Sequence, residues 1–83
     1  MSLKGKTALI TGSTSGIGLG LAISFAEQGA NIVLNGISNP EKAKTAIDAI
    51  KTAGSQAIYK QADVSDPAQI KALVQHATDT FGG

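Results

Sequence analysis

Cysteine, tryptophan and arginine are absent from this 83-residue chain, and its aromatic side chains are one tyrosine and two phenylalanines. Without cysteine there is neither a disulfide scaffold nor a thiolate metal site. A single histidine, His76, and four scattered aspartates form no metal-ligating cluster in the sequence. Seven lysines stand at 4, 6, 42, 44, 51, 60 and 71 against six acids, for a net charge of +1. Nucleic-acid binders concentrate basic charge and favour arginine, so no phosphate-backbone footprint is expected. The opening Met1-Ser2-Leu3-Lys4-Gly5-Lys6 lacks the apolar core of a signal peptide. Thr7 to Ala26 carries no charge, yet ten of those twenty residues are Gly, Ser or Thr, which argues against a membrane helix. A cytoplasmic location follows as the expectation. A hydrophobic fraction of 42% is too high for a disordered tail. The length allows one small domain or a piece of a larger one, and a chain of this size buries only about 60% of its unfolded surface.

What is present is an alternation of short apolar runs with helical patterns. Thr7-Ala8-Leu9-Ile10-Thr11, ended by Gly12, reads as a buried strand. Gly16 to Gln28 reads as a helix that is apolar nearly all round, ended by Gly29. Asn31 to Asn35 is a second strand, closed by Gly36. Asn39-Pro40 reads as a helix start, with Asn capping and Pro at the first helical position, and Gly54 as its end. Gln56 to Gln61 is a weaker strand, whose Lys60 and Gln61 suit a sheet edge. Asp66-Pro67 opens a third helix, with Gln69 placed as in a capping box. Ile70, Leu73, Val74, Ala77 and Phe81 then fall on one face of a 3.6-residue period. His76 borders that face and reads as a solvated surface residue.

Strands separated by helices imply parallel pairing with right-handed crossovers. The expected fold class is α/β, the β-α-β-α-β-α first half of a doubly wound parallel sheet with strand order 3-2-1. That order leaves the first strand with an unpaired edge, and the first helix is more apolar than one sheet face needs. Residues 1–83 are therefore expected to be one part of a larger domain, cut before a fourth strand.

The informative segment is Thr11-Gly12-Ser13-Thr14-Ser15-Gly16-Ile17-Gly18, between the first strand and the first helix. A diphosphate carries concentrated negative charge, and a helix start offers unpaired N–H groups and a positive dipole end. Gly12 lets the chain turn sharply, Gly16 allows close backbone approach to the ligand, and Gly18 lets the helix pack against the sheet. Thr14 and Ser15 add hydroxyls and N–H groups. The spacing is Gly-x3-Gly-x-Gly, and a Walker-type P-loop is excluded because no Gly-Lys-Ser/Thr follows Gly12 at the required distance.

Lys6 to Gly18 resembles the opening of a short-chain dehydrogenase/reductase, and Gly29 to Gly36 and Ala62-Asp63-Val64 are similar to that family's second- and third-strand ends. The run Gly12 to Gly20 with Asn35-Gly36 narrows the likeness to the branch acting on 3-hydroxybutyrate. The branch that reduces 3-oxoacyl thioesters shares much of this half. The resemblance implies a Rossmann-type fold, hydride transfer between a secondary alcohol and a nicotinamide, and a homo-oligomeric parent protein with a small-molecule substrate and no nucleic-acid or membrane partner. It implies that the backbone at Gly12, Thr14, Ser15, Gly16, Ile17 and Gly18 holds the pyrophosphate and nearby ribose. Asp63 would accept from the adenine amino group, and Val64 would contact the ring. Many NAD-preferring members place an acid at the end of the second strand, where this chain has Gly36, so Gly36 and Ile37, with Asn35, would have to shape the ribose and adenine pocket. No arginine is there to grip a 2′-phosphate, which favours NAD over NADP. The family's catalytic Tyr-x-x-x-Lys is not in this stretch: Tyr59 is followed four positions on by Asp63. Tyr59 is expected to be a packing residue, and no catalytic residue is assigned. A dinucleotide-binding module without catalysis is the reading from another functional class.

Overall fold

Alternating side chains on parallel strands decide which face of the sheet each helix covers. In the computed structural model, which describes residues 3–13, 16–37 and 40–82, three strands form one sheet. They are β1 (Thr7–Ile10), β2 (Asn31–Gly36) and β3 (Ala57–Gln61), in the spatial order β1-β2-β3. Both pairings are parallel, with Ile10 opposite Leu34 and Gly36 opposite Gln61 at the carboxyl ends. The helices are α1 (Gly16–Glu27), α2 (Lys44–Thr52) and α3 (Pro67–Phe81).

Ile32 and Leu34 of β2 point to one face, where they meet Ala22 and Ala26 of α1 and Ala46 and Ile50 of α2. Ala8, Ile10, Ala57 and Tyr59 complete that layer. Val33 points the other way, to Leu73 and Ala77 of α3, joined by Leu9, Ile58 and Phe81. The result is a three-layer α/β/α arrangement with β2 at its centre. Ile32, Val33 and Leu34 are fully buried, each contributing about 1.5–3 kcal/mol of hydrophobic stabilisation.

Four local readings change. β1 is half-buried rather than buried, because only one of its edges is paired. The second helix does not begin as an α-helix at Pro40: a 3-10 turn, Pro40–Ala43, comes first, and α2 has Ala43 at its N-cap with no side-chain cap. The cap expected from Asn39 lies outside the described residues. The apolar stripe of α3 is wider than the sheet that covers it, so Leu73 and Ala77 are buried while Ile70 and Val74 are exposed. His76 is half-buried rather than fully solvated.

On α1 the face Leu19, Ala22, Ile23 and Ala26 meets the sheet, whereas Ile17, Leu21 and Phe25 form a second apolar stripe that is exposed. No described helix is long and apolar enough to cross a membrane.

Candidate dinucleotide site at the strand ends

Parallel pairing brings the carboxyl ends of all three strands to one edge, the place where open α/β sheets bind ligands. The bend after β1, the Gly36-Ile37 segment after β2 and Ala62-Asp63-Val64 after β3 all lie at that edge. This ground is open surface, and no enclosed pocket forms among the described residues.

The bend is built by glycines with different tasks. Gly12 and Gly16 have φ of +58° and +61°, the left-handed region that side chains disfavour. A Cβ on either would meet open space, so their requirement is conformational. Gly18 is the reverse case. A Cβ there would overlap the Gly12 carbonyl oxygen and lie 3.0 Å from the Ser13 Cα. Its missing side chain thus lets the first turn of α1 lie against the bend, a nearer partner than the sheet expected from sequence. No acid stands in the first turn of α1, leaving the positive dipole end there unneutralised by side chains of that turn. Ile17 follows at 85% exposed. Thr14 and Ser15 lie outside the described residues.

Two buried polar residues fasten the strand ends together. Ser13 is fully buried; its hydroxyl donates to the Ile10 carbonyl at 2.6 Å and accepts from the Asn35 N–H at 2.9 Å. The Ser13 N–H donates to the Asn35 carbonyl at 2.8 Å. The Asn35 carboxamide, also buried, donates through Nδ2 to the carbonyls of Lys60 at 3.0 Å and Ala62 at 3.3 Å. Asn35 is therefore a girder between the bend and β3, its carboxamide spent on carbonyls of the β3 end. Sequence reasoning assigned neither residue this part; the only signal was a polar residue closing an otherwise apolar central strand.

The β2 end is held from β3. The Ala62 N–H donates to the Gly36 carbonyl at 3.1 Å, and Gln61 Nε2 donates to the Ile37 carbonyl at 3.0 Å. The Ile37 side chain is 77% exposed, and Val64 after β3 is exposed as well.

Asp63 is exposed, and Ser65 donates to its Oδ1 twice, from N at 2.9 Å and from Oγ at 2.7 Å. Those donors, the hydroxyl foremost, hold its carboxyl below the usual carboxylate value. Oδ2 takes no hydrogen bond among the described residues. The N-terminus of α3 is capped as the sequence implies on one side only: Asp66 Oδ1 accepts from the Ala68 N–H at 3.0 Å. The Gln69 carboxamide donates to Asp66 Oδ2 at 3.2 Å, while its Oε1 accepts from the Asp63 N–H at 2.7 Å instead of from the cap residue itself. Tyr59 packs against the α1/α2 layer, and burial pushes its phenol up.

Comparison with known proteins agrees with this geometry. The family model for short chain dehydrogenases matches residues 6–83. The D-beta-hydroxybutyrate dehydrogenase of Cupriavidus necator is 49% identical over 81 residues, covering 98% of this chain and 31% of that protein. The versicolorin reductase of Emericella nidulans is 42% identical over 80 residues, covering 96% of this chain and 30% of that protein. Among solved structures, an NADH-dependent reductase complexed with NAD superposes with a TM-score of 0.89 at 37% identity, over 98% of this chain and 34% of that one. The chain spans about a third of the length of the relatives it matches. Fold, glycine bend and family match converge: the chain belongs to the short-chain dehydrogenase family.

Proposed function

We propose that these residues are the dinucleotide-binding part of an NAD-dependent oxidoreductase that transfers hydride between a secondary alcohol, 3-hydroxybutyrate, and the nicotinamide. The observation that carries this reading is the bend itself: two left-handed glycines with open space above them, and a third whose bare Cα admits the Gly12 carbonyl at the opening of α1. That cradle fits a diphosphate, because no side chain at 12, 16 or 18 stands over the amide dipoles.

In this reading the backbone at Gly12, Thr14, Ser15, Gly16, Ile17 and Gly18 holds the pyrophosphate and neighbouring ribose. Asp63 offers Oδ2 to the adenine amino group, a donor that a carboxylate suits. Ile37 and Val64, exposed at the ends of β2 and β3, give the ring apolar contact. Gly36 leaves the ribose without an acidic partner. The bound nicotinamide supplies the hydride chemistry. The acid–base group that handles the substrate proton is assigned to residues outside these 83, since Tyr59 is engaged in packing.

The substrate rests on the C. necator relative's name and on the Gly12–Gly20 run with Asn35-Gly36. The missing acid at Gly36 favours one second reading, an NADPH-dependent reductase of 3-oxoacyl thioesters. Calorimetric titration of the intact protein with NADH and NADPH separates the two. Tighter NADH binding, with NAD reduction on adding D-3-hydroxybutyrate, is the expected result. Tighter NADPH binding reverses the cofactor assignment, and absence of binding by either removes the reading.

A further inference from the structure

The peptide unit joining Ala62 to Asp63 is gripped on both sides. Its carbonyl accepts from Asn35 Nδ2 at 3.3 Å, and its N–H donates to Gln69 Oε1 at 2.7 Å. The two grips come from different elements, the centre of the sheet and the first turn of α3. Gln69 is held in its turn by donating to Asp66 Oδ2 at 3.2 Å. Asn35 is pinned to the glycine bend by its two backbone bonds with Ser13. One chain of hydrogen bonds therefore runs from the bend, through Asn35 and a single peptide plane, to the start of α3.

We propose that Gln69 and Asn35 are positioning residues that clamp the Ala62–Asp63 peptide and so fix the Asp63 carboxylate at a set place relative to the glycine bend. The proposal rests on the dinucleotide reading above, in which the bend takes the diphosphate and Asp63 the adenine. The two ends of a dinucleotide are then held at positions whose separation is set by this clamp and not by a mobile loop. A peptide free to rotate would let Asp63 swing with Ser65 while the bend stayed in place. Preorganisation of this kind acts on affinity, because ordering the site is not charged to the binding step.

A helix cap alone would account for Asp66 and its bond to the Ala68 N–H. It does not account for Gln69 Oε1 turning to a residue three positions before the cap. The Asp66 N–H already donates to the Asp63 carbonyl at 3.1 Å, so the Gln69 acceptor goes to the Asp63 N–H, and residue 63 is tied to the start of α3 through both of its backbone groups.

The test uses the intact protein, NADH titrated by calorimetry, and steady-state kinetics. Gln69→Met keeps the length of the side chain and loses the acceptor; Gln69→Glu keeps an acceptor. Gln69 is exposed, so both variants are expected to fold. Gln69→Met is expected to weaken NADH binding about tenfold, the loss of one well-placed hydrogen bond. It should raise the KM for the cofactor and leave kcat at saturating cofactor unchanged, while Gln69→Glu, which keeps the acceptor for the Asp63 N–H and loses only the donor to Asp66 Oδ2, should lose distinctly less affinity than Gln69→Met. Amide exchange gives a readout without ligand: the Asp63 N–H loses protection in Gln69→Met and keeps it in Gln69→Glu. Asn35→Leu removes the other grip, and combined with Gln69→Met it should give well under the product of the two single losses, since both act on one peptide. Should Asn35→Leu fail to fold, the Gln69 pair still decides. Unchanged NADH affinity in Gln69→Met, in a protein whose parent binds NADH, overturns the clamp and leaves the dinucleotide reading standing. Equal loss in Gln69→Met and Gln69→Glu, in step with a lowered Tm, also overturns it by reducing Gln69 to a helix cap. A parent protein that binds no NADH removes the dinucleotide reading and the clamp with it.

Discussion

Ser13 and Asn35 exchange two hydrogen bonds across the point where β1 gives out: the Ser13 N–H donates to the Asn35 carbonyl at 2.8 Å, and the Asn35 N–H donates to Ser13 Oγ at 2.9 Å. A side-chain hydroxyl thereby stands in for the ladder carbonyl that a longer strand would have supplied. The main chain is released to bend at Gly12 without orphaning the central strand. Stability and site geometry meet in this one pair.

Ser13→Ala tests that directly. It strips the partner from a buried Asn35 N–H and from the Ile10 carbonyl. Buried polar groups left unpaired cost about 1–3 kcal/mol, so the urea midpoint of the intact protein should fall accordingly. An unchanged midpoint would show that water or another group replaces the hydroxyl.

The element order, the sheet order and the three glycines of the bend were legible in the sequence because each rests on local pattern: apolar periodicity, caps and spacing. The fastening of the strand ends was not. Ser13 sits beside Thr14 and Ser15, whose hydroxyls read as ligand-facing, and has no pattern of its own, while Asn35 reads as a strand-ending residue. Their partners are 22 and 25 positions away, and only the assembled sheet brings them together. Gln69 was half legible: its spacing from Asp66 marked a capping box, but the Asp66 N–H is taken by the Asp63 carbonyl and the Gln69 acceptor went to the Asp63 N–H. The exposed stripe Ile17, Leu21 and Phe25 was visible as an excess of apolar residues on α1, whereas which face it occupied was settled only by packing.

Gly18 and Gly20 lie two residues apart in α1 and should respond oppositely to alanine. At Gly20 an added Cβ meets nothing within 4 Å. Gly20→Ala should therefore gain about 0.5–1 kcal/mol of helix stability and raise the Tm. At Gly18 the same atom strikes the Gly12 carbonyl and crowds the Ser13 Cα, both backbone. Gly18→Ala should lower the Tm and weaken NADH binding, because the bend must shift to admit it. Equal Tm changes of one sign would contradict the assignment of the third glycine to the bend.

Tyr59 is the only tyrosine among these 83 residues, and ring NMR of the intact protein, with the Tyr59 signal assigned by its loss in Tyr59→Phe, reports on its phenol. Burial raises its phenol above the ordinary 10.0. For a group with a raised folded value, the contribution to stability is complete below the unfolded value and is lost as the pH climbs through the folded one. The spectroscopic midpoint should lie above 10.0 in the folded protein and return toward it in denaturant. A midpoint at or below the ordinary value would place the phenol in water.

Asp63 tests the opposite sign. Ser65, through its hydroxyl first and its N–H second, holds the carboxyl below the ordinary 3.8. A depressed folded value means that the stabilisation is complete above the unfolded value and disappears as the pH falls through the lower folded one. The window is therefore acidic, below 3.8, and at neutral pH Asp63 is fully ionised and able to accept from an adenine amino group. Carbon-detected NMR of the Asp63 carboxyl should show a midpoint under 3.8 that moves upward in Ser65→Ala, where the stronger of the two donors is gone. In Ser65→Gly the backbone donor also remains, so the two variants should titrate alike. A midpoint that ignores Ser65→Ala would mean that some other group sets the charge on Asp63 and that the Ser65 donors do not hold its carboxylate ready for adenine.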